Sequence, residues 1–336
     1  MPNEFDITKN SGIIIAPPKP TDFILGVSSP LVVGDVEPTG DWRPYTPTPE
    51  KQWSQQFDTM NCTAFSYTNI IETLINRLIK KGLVSVEFMQ FLQTNGYLDA
   101  NGLLDTSERA LGSMAGTDEN GNHLATVAET ARKNGLAPNS MWKWDTNVVL
   151  DIDEYYKTPP QQVFDVAKKF KQFVDLPYQW IGVGPPVDIS KYPLAMKVSP
   201  LYVALKTCPG WNSPPVTWCG ATDVNHAVEL VKFDNQANGF IFDSYDPYTK
   251  ELQLNYAIPY ALQIMAIVKK GIKKMIGYKK ENDATVYVEL QGVLVPLADW
   301  DAFVSLGGST ESIVALTEAQ FAKFTVNNSV LFKSNN

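Results

Sequence analysis

From Ala64 to Ile79 the apolar residues Ala64, Phe65, Ile71, Leu74, Ile75, Leu78 and Ile79 recur at intervals of three and four. That period belongs to an amphipathic helix. Asn61, just ahead of it, is a favoured N-cap, and Gly82 suits the C′ position beyond its end. Cys62 therefore falls in the helix's first turn, where free backbone N–H groups and the helix dipole favour an anion and lower a thiol's pKa. Gln56 stands six residues upstream, and Asn225-His226-Ala227-Val228 comes far downstream. A cysteine on a helix N-terminus with a distant histidine is how a thiol nucleophile is built.

Further segments fall into line with this one. Asp41-Trp42-Arg43, Gln56, Cys62-Thr63-Ala64-Phe65-Ser66, Ser199-Pro200-Leu201-Tyr202-Val203-Ala204, Asn225-His226-Ala227-Val228 and Asp243-Ser244-Tyr245 occur in that order. They follow the patterns D-W-R, Q-G-x-C-x-S-C-W-A-F-S, G-P-[VL]-x-V-A, D-H-A-V and N-S-W-G. Over roughly residues 41 to 268 the chain resembles the papain-like (C1 family) cysteine peptidases, most of all the divergent type carried by tailed bacteriophages and bacteria. The resemblance implies an α+β fold of two lobes, a helical left lobe and an antiparallel, barrel-like right lobe, with a cleft between them. It implies that Cys62 is the nucleophile and His226 the general acid/base. Asp243, where the family has Asn, would orient the imidazole. Gln56 and the Cys62 backbone N–H would stabilise the oxyanion. The implied substrate is a polypeptide, with no metal or organic cofactor.

The sequence holds two histidines, so the choice of base is narrow. His226 opens an apolar strand-like stretch in the motif position, whereas His123 follows a turn run at a helix start. Gln52 and Gln55 are the neighbours that a small shift in alignment would promote over Gln56. Departures from the family pattern are Thr63 for Trp, Met60-Asn61 for Gly-Ser, and Tyr245 for the Trp that shields the histidine. Taken alone, Cys62 would pass for a small core hydrophobe. Trp211 and Trp218, in the loop before His226, either wall the cleft or pack the loop.

Composition narrows the class. A formal net charge of −8 argues against a nucleic-acid surface as the chain's main business. No apolar run approaches the ~20 residues that span a bilayer. The acidic start Met1-Pro2-Asn3-Glu4-Phe5-Asp6 lacks the apolar stretch of a secretory signal, so the expected location is the cytoplasm of the producing cell or a phage virion assembled there. In a reducing cytoplasm Cys208 and Cys219, which could pair across a Pro/Trp/Gly-rich loop, are expected to stay free.

Residues 1–40, rich in Pro, Gly and Thr, read as an extended arm on the domain surface, too short for a helical inhibitory propeptide. The domain proper, 41–268, is expected to carry further helices near 85–94, from Thr106, at 123–134 and at 160–174, then loop and turn through Pro186. Strands follow at 201–205, 227–231, 239–243, 252–254 and 261–268. Residues 269–282, with six of the chain's 28 basic residues, read as a solvated linker. A small α+β module, 283–336, is expected to serve binding or attachment, with strands at 286–290 and 312–316, a helix capped by Asp299 and a capping box at Thr317-x-x-Gln320. A second functional reading is therefore a weakly active or inactive papain-like scaffold in a phage virion, meeting its partners through 1–40 and 283–336.

Overall fold

The computed structural model describes residues 12–15, 37–54, 57–144, 151–184, 188–221, 223–234, 238–269, 277–281, 285–290, 293–297, 300 and 313–326. The chain divides into two compact units, Met1–Lys269 and Lys270–Asn336.

The first unit is α+β, a helical part beside a six-stranded antiparallel sheet. Its centre is helix α1, Cys62–Lys80, in which every residue from Cys62 to Arg77 is buried. A helix enclosed on all sides must find partners for its polar side chains. Glu72 Oε1 accepts from the Thr106 backbone N–H and hydroxyl at 2.6 and 2.8 Å. Asn76 Oδ1 accepts from the Leu104 N–H at 2.7 Å, and Arg77 pairs with Glu37 at 3.1 Å. Gly82 ends the helix with φ at +66°, and the Leu83 N–H reaches back to the Leu78 carbonyl at 2.9 Å. The start differs from expectation. Asn61 caps nothing with its side chain; its Nδ2 instead donates to the Glu108 carbonyl and the Tyr155 hydroxyl, both at 2.9 Å.

Helices α2 (Val86–Thr94), α3 (Glu108–Ala115) and α4 (Leu124–Asn134) complete the first helical layer. Ser85 and Ser107 cap α2 and α3, and positive-φ glycines, Gly116 and Gly135, close α3 and α4. After the short α5 (Ile152–Tyr155), α6 (Gln161–Phe173) brings Phe170 and Phe173 against Phe88, Phe91 and Tyr97.

The strands are β1 (Val174–Asp175), β2 (Tyr178–Val183), β3 (Leu201–Leu205), β4 (His226–Phe233), β5 (Gly239–Phe242), β6 (Thr249–Leu252), β7 (Tyr260–Ile264) and β8 (Ile267–Val268), with α7 (Tyr192–Met196) before β3. The main sheet runs β2-β7-β3-β4-β5-β6, and β1 pairs with β8. Strand β2 stands where loop and turn were expected. Pro177 before it and Gly184-Pro185-Pro186 after it mask a largely buried segment that pairs with β7 from Tyr178↔Ile264 to Val183↔Tyr260. The strand expected at 252–254 lies earlier, as β6. Cys208 and Cys219, expected free, form a disulfide; their Cα atoms stand 5.6 Å apart, within the usual reach.

Helix α1 packs on the centre of this sheet. Tyr202 of β3 donates its hydroxyl proton to the Thr63 carbonyl at 2.7 Å. Trp42, wholly buried, bonds through its backbone N–H to the Val231 carbonyl and through Nε1 to the Met196 carbonyl, at 2.8 and 2.6 Å.

The second unit holds β9 (Gly277–Lys280), β10 (Val286–Leu290), β11 (Val293–Pro296), β12 (Ile313–Leu316), α8 (Glu318–Phe321) and β13 (Thr325–Val326), in the sheet order β12-β9-β10-β11-β13. Residues 277–280, expected in the lysine-rich linker, form the strand β9, flanked by β10 and β12. The capping box at Thr317 and Gln320 is formed. The helix expected from Asp299 lies, Trp300 apart, outside the described residues. No helix among the described residues is long and apolar enough to cross a membrane.

Candidate active site

Cys62, His226 and Asp243 reach one place by three routes. Cys62 opens α1, and its N–H belongs to the first turn, whose amides have no acceptor within the helix. His226 opens β4, opposite Leu205 of β3. Asp243 follows directly on β5, which returns antiparallel beside β4. The β4–β5 hairpin thus converts a separation of seventeen residues into a hydrogen bond of 2.7 Å between His226 Nε2 and Asp243 Oδ1. The Cys62 thiol stands near enough to the same imidazole to favour its protonated form, and with Nε2 taken by Asp243, Nδ1 is the nitrogen left to serve it. All three residues are buried, Cys62 at 1% exposure.

Burial alone would pull the His226 pKa down, but the Asp243 charge and hydrogen bond, together with the Cys62 thiol, outweigh it and raise it to about 10. Burial pushes the Asp243 carboxyl up, and the Lys250 ammonium and the imidazole more than reverse this, holding it below the usual carboxylate range. Asp243 accepts four hydrogen bonds. Oδ1 takes His226 Nε2 and the Ser244 N–H, at 2.7 and 2.8 Å. Oδ2 takes Lys250 Nζ and Trp211 Nε1, both at 2.8 Å.

Aromatic rings flank the imidazole edge-to-face. Trp211 and Tyr245 lie with centroids 5.8 and 5.5 Å from it. The Tyr245 hydroxyl donates to Asp58 Oδ2 and accepts from Gln52 Nε2 at 2.8 Å. Gln52 Oε1 in turn accepts from the Ser244 hydroxyl at 2.7 Å. Gln56 lies outside the described residues. His123 sits elsewhere: its Nδ1 is 2.7 Å from the Ile14 carbonyl. Of the two tryptophans, Trp211 belongs to the site, and Trp218 is exposed. The sequence leaves Trp211 open between cleft wall and loop packing, and the structure sets it against the imidazole. Lys250 carries no sequence signal as a site residue, since Thr-Lys-Glu in a strand reads as a solvated face.

A short strap closes the view of Cys62. The Ile14 N–H donates to the Asn122 carbonyl at 2.9 Å, and the Asn122 N–H donates to the Gly12 carbonyl at 3.3 Å. This parallel bridge buries Ile13. A Cβ placed on Gly12 would stand 3.1 Å from Cys62 Sγ and 2.9 Å from the Met60 carbonyl oxygen. The described part of the N-terminal arm is thus packed onto the thiol.

The start of α1 is equally tight. A Cβ on Gly112 would come within 2.3 Å of Asn61 Oδ1. Gly112→Ala is expected to displace Asn61 and cost about 1–3 kcal/mol, the usual penalty of overpacking. Urea denaturation checks this, and an unchanged midpoint would show that Asn61 yields freely.

No family model matches the chain, and no curated protein matches it. Similar solved structures include a procathepsin L2 proteinase from Tenebrio molitor (16% identity, 77% of this chain and 79% of that one, TM-score 0.45). Another is xylellain, a cysteine protease from Xylella fastidiosa (16%, 77% and 97%, 0.47). A third comprises the cysteine protease and lectin-like domains of Cwp84, a surface layer associated protein of Clostridium difficile (14%, 84% and 62%, 0.48).

Proposed function

We propose that the first unit is a papain-like cysteine peptidase acting on polypeptides. The observation that carries this reading is that Cys62, at the N-terminus of a buried helix, stands by His226, whose Nε2 is hydrogen-bonded to Asp243. In the reaction, Cys62 attacks the scissile carbonyl carbon as the thiolate while His226 holds the proton. The negative charge that develops on the carbonyl oxygen would be met by the Cys62 N–H and by Gln56. Collapse breaks the C–N bond, and the imidazolium gives its proton to the departing amine, leaving a thioester. His226 then takes a proton from water, whose oxygen attacks the thioester and releases the acid and the thiol. Asp243 holds the ring in the orientation that presents Nδ1 to sulfur.

A second reading, a papain-like scaffold that does not cleave, is favoured by one observation: the Gly12 backbone lies against the thiol. Alkylation separates the two. Native protein is treated with iodoacetamide and read by intact mass, beside Cys62→Ala and His226→Ala. A single adduct is expected, lost in Cys62→Ala and formed about a hundredfold more slowly in His226→Ala, as loss of an acid–base partner commonly costs. If Cys62 reacts only after unfolding, in the wild type and in an Ile13→Asp variant alike, the scaffold reading stands and the peptidase reading falls.

A further inference from the structure

Lys250 is a fully buried lysine with no exposure at all. Burying an ammonium is costly unless it is paired and its donors are satisfied. Here three acceptors surround Nζ: Asp243 Oδ2 at 2.8 Å, the Tyr245 carbonyl at 2.6 Å and the Pro247 carbonyl at 2.7 Å. Lys250 sits on β6 opposite Ile241 of β5, so the β5–β6 hairpin that carries Asp243 in its turn also supplies the cation behind it. Trp211 adds the second donor to Oδ2, and its ring lies 5.6 Å from the ammonium. The carboxylate is held from the rear by these two groups, and Oδ1 is left facing the imidazole.

We propose that Lys250 and Trp211 are positioning residues of the Cys62–His226 pair, Lys250 balancing the charge of Asp243 so that a carboxylate can stand behind the imidazole without displacing the thiolate. The proposal rests on the peptidase reading above.

The reasoning is a charge balance inside a dry site. In the reactive state the thiolate and imidazolium form one pair, and the Asp243 carboxylate and Lys250 ammonium form a second, with no net charge. Without Lys250 the site would hold two anions against one cation, and the thiolate would be the anion to give way by taking a proton. Without the Asp243 charge it would hold two cations against one anion, and the imidazolium would lose its proton first. With both charges removed, balance returns. Opposite charges within a few ångströms commonly move a titration by one to three pH units, so each imbalance should be visible. Among the described residues, the other ionisable groups facing the site are Tyr156 and Tyr202, whose hydroxyls donate to the Thr59 and Thr63 carbonyls, Tyr245, which bonds to Asp58, and Asp58 itself, whose Oδ1 accepts from Gln52 Nε2 and the Met60 N–H at 3.0 and 2.9 Å. None of them is altered by the substitutions below.

The test is the pH dependence of Cys62 alkylation by iodoacetamide in full-length protein. The wild type is compared with Lys250→Met, Asp243→Asn and the double variant Lys250→Met/Asp243→Asn. Relative to wild type, the acid limb of Lys250→Met should move up by about one pH unit or more, and the basic limb of Asp243→Asn down by a similar amount. The double variant should bring both limbs back to within about half a unit, the non-additivity that marks a direct interaction. Trp211→Phe keeps the ring and removes the donor; both limbs should move by less than in Lys250→Met. A merely structural lysine would lower stability without moving either limb, and the double variant would not restore the profile. That result overturns the proposal. Should Lys250→Met not fold, Asp243→Asn and the double variant still decide, because the lowered basic limb must recover in the double. Failure of the underlying reading looks different: the wild type itself would show one ordinary thiol titration, indifferent to His226→Ala, and the proposal would fall with it.

Discussion

Between pH 5 and pH 8 the protein is expected to lose stability, with an apparent Tm about 10 °C lower at the alkaline end, on the usual scaling of a few degrees per kcal/mol. The cause is a set of buried carboxyls in the first unit. Glu72 lies within α1, Glu108 opens α3, and Glu50 and Asp105 lie beside them. Burial raises all four pKa values, and their mutual repulsion raises those of Glu72, Asp105 and Glu108 further. Asp105 is raised to about 7. Glu50 and Glu108 stand close enough that their interaction favours the proton on Glu108 and the charge on Glu50. Asn139 donates to Glu50 at 2.8 Å; Lys143 works in the opposite direction to the repulsion, and Asp99 adds to it. Elsewhere, burial lifts Glu229 of β4, which faces Thr73 of α1, to about 8.

In each case the folded chain keeps a proton that the unfolded chain releases near pH 4. Over that interval the unfolded state binds fewer protons, so stability falls as pH rises. Each group contributes up to about 1.4 kcal/mol per pH unit, ending at its folded-state value. His226, raised to about 10, acts in the same sense above its unfolded value near 6.5. Asp243, held low, contributes the reverse, but its stabilisation is lost only below about pH 4. Thermal melts at several pH values check the trend. Glu229→Gln should melt with the wild type at pH 5 and above it at pH 8. A wild-type Tm that rises from pH 5 to pH 8 would refute this account of the cluster.

Much of this could be read in the sequence where local rules and packing agree. The apolar period of α1, with Gly82 at φ +66° beyond its end, located the helix that carries Cys62. A β-rich stretch opening on His226, followed by an aspartate at the end of the next one, was enough to suggest that the two meet. What stayed hidden depends on tertiary placement. Met60 adopts φ +56°, where the resembling pattern has a glycine; nothing in a methionine announces that. Lys250, flanked by Thr249 and Glu251, has the pattern of a solvent-facing strand, and only the β5–β6 register puts it behind Asp243. Glu229 lies in an apolar run whose neighbours gave no hint of an acid inside the core. Strand β2 was lost to the prolines around it. Gln56 keeps its proposed role on spacing alone.

Ile13→Asp is expected to speed iodoacetamide alkylation of Cys62 at least about tenfold at constant pH, since each 1.4 kcal/mol shifted in the opening of the strap is a factor of ten. Ile13 is 5% exposed, and its neighbours Ile14 and Ile15 are 40% and 37% exposed. Among the described residues, the strap is thus anchored by one apolar side chain, two backbone hydrogen bonds to Asn122 and the contact of the Ile14 carbonyl with His123 Nδ1. An aspartate at position 13 would have to bury a charge, which costs several kcal/mol unless the strap lifts away. These hydrogen bonds, at about 1 kcal/mol net each and the one to His123 exposed to solvent, cannot hold it against that. Once lifted, the Gly12 backbone no longer lies against Sγ, and the reagent meets the thiol directly. Ile14→Asp is the matching control: it adds the same charge one residue along at an exposed position and should leave the rate within about twofold, as surface substitutions commonly do. Ile14→Asp should melt close to the wild type, and Ile13→Asp somewhat lower, because Ile13 belongs to the buried cluster that includes Cys62 and the apolar face of α1. Equal alkylation rates in wild type and Ile13→Asp would mean that the strap does not limit access, and that the burial of Cys62 is set by the helix and sheet around it.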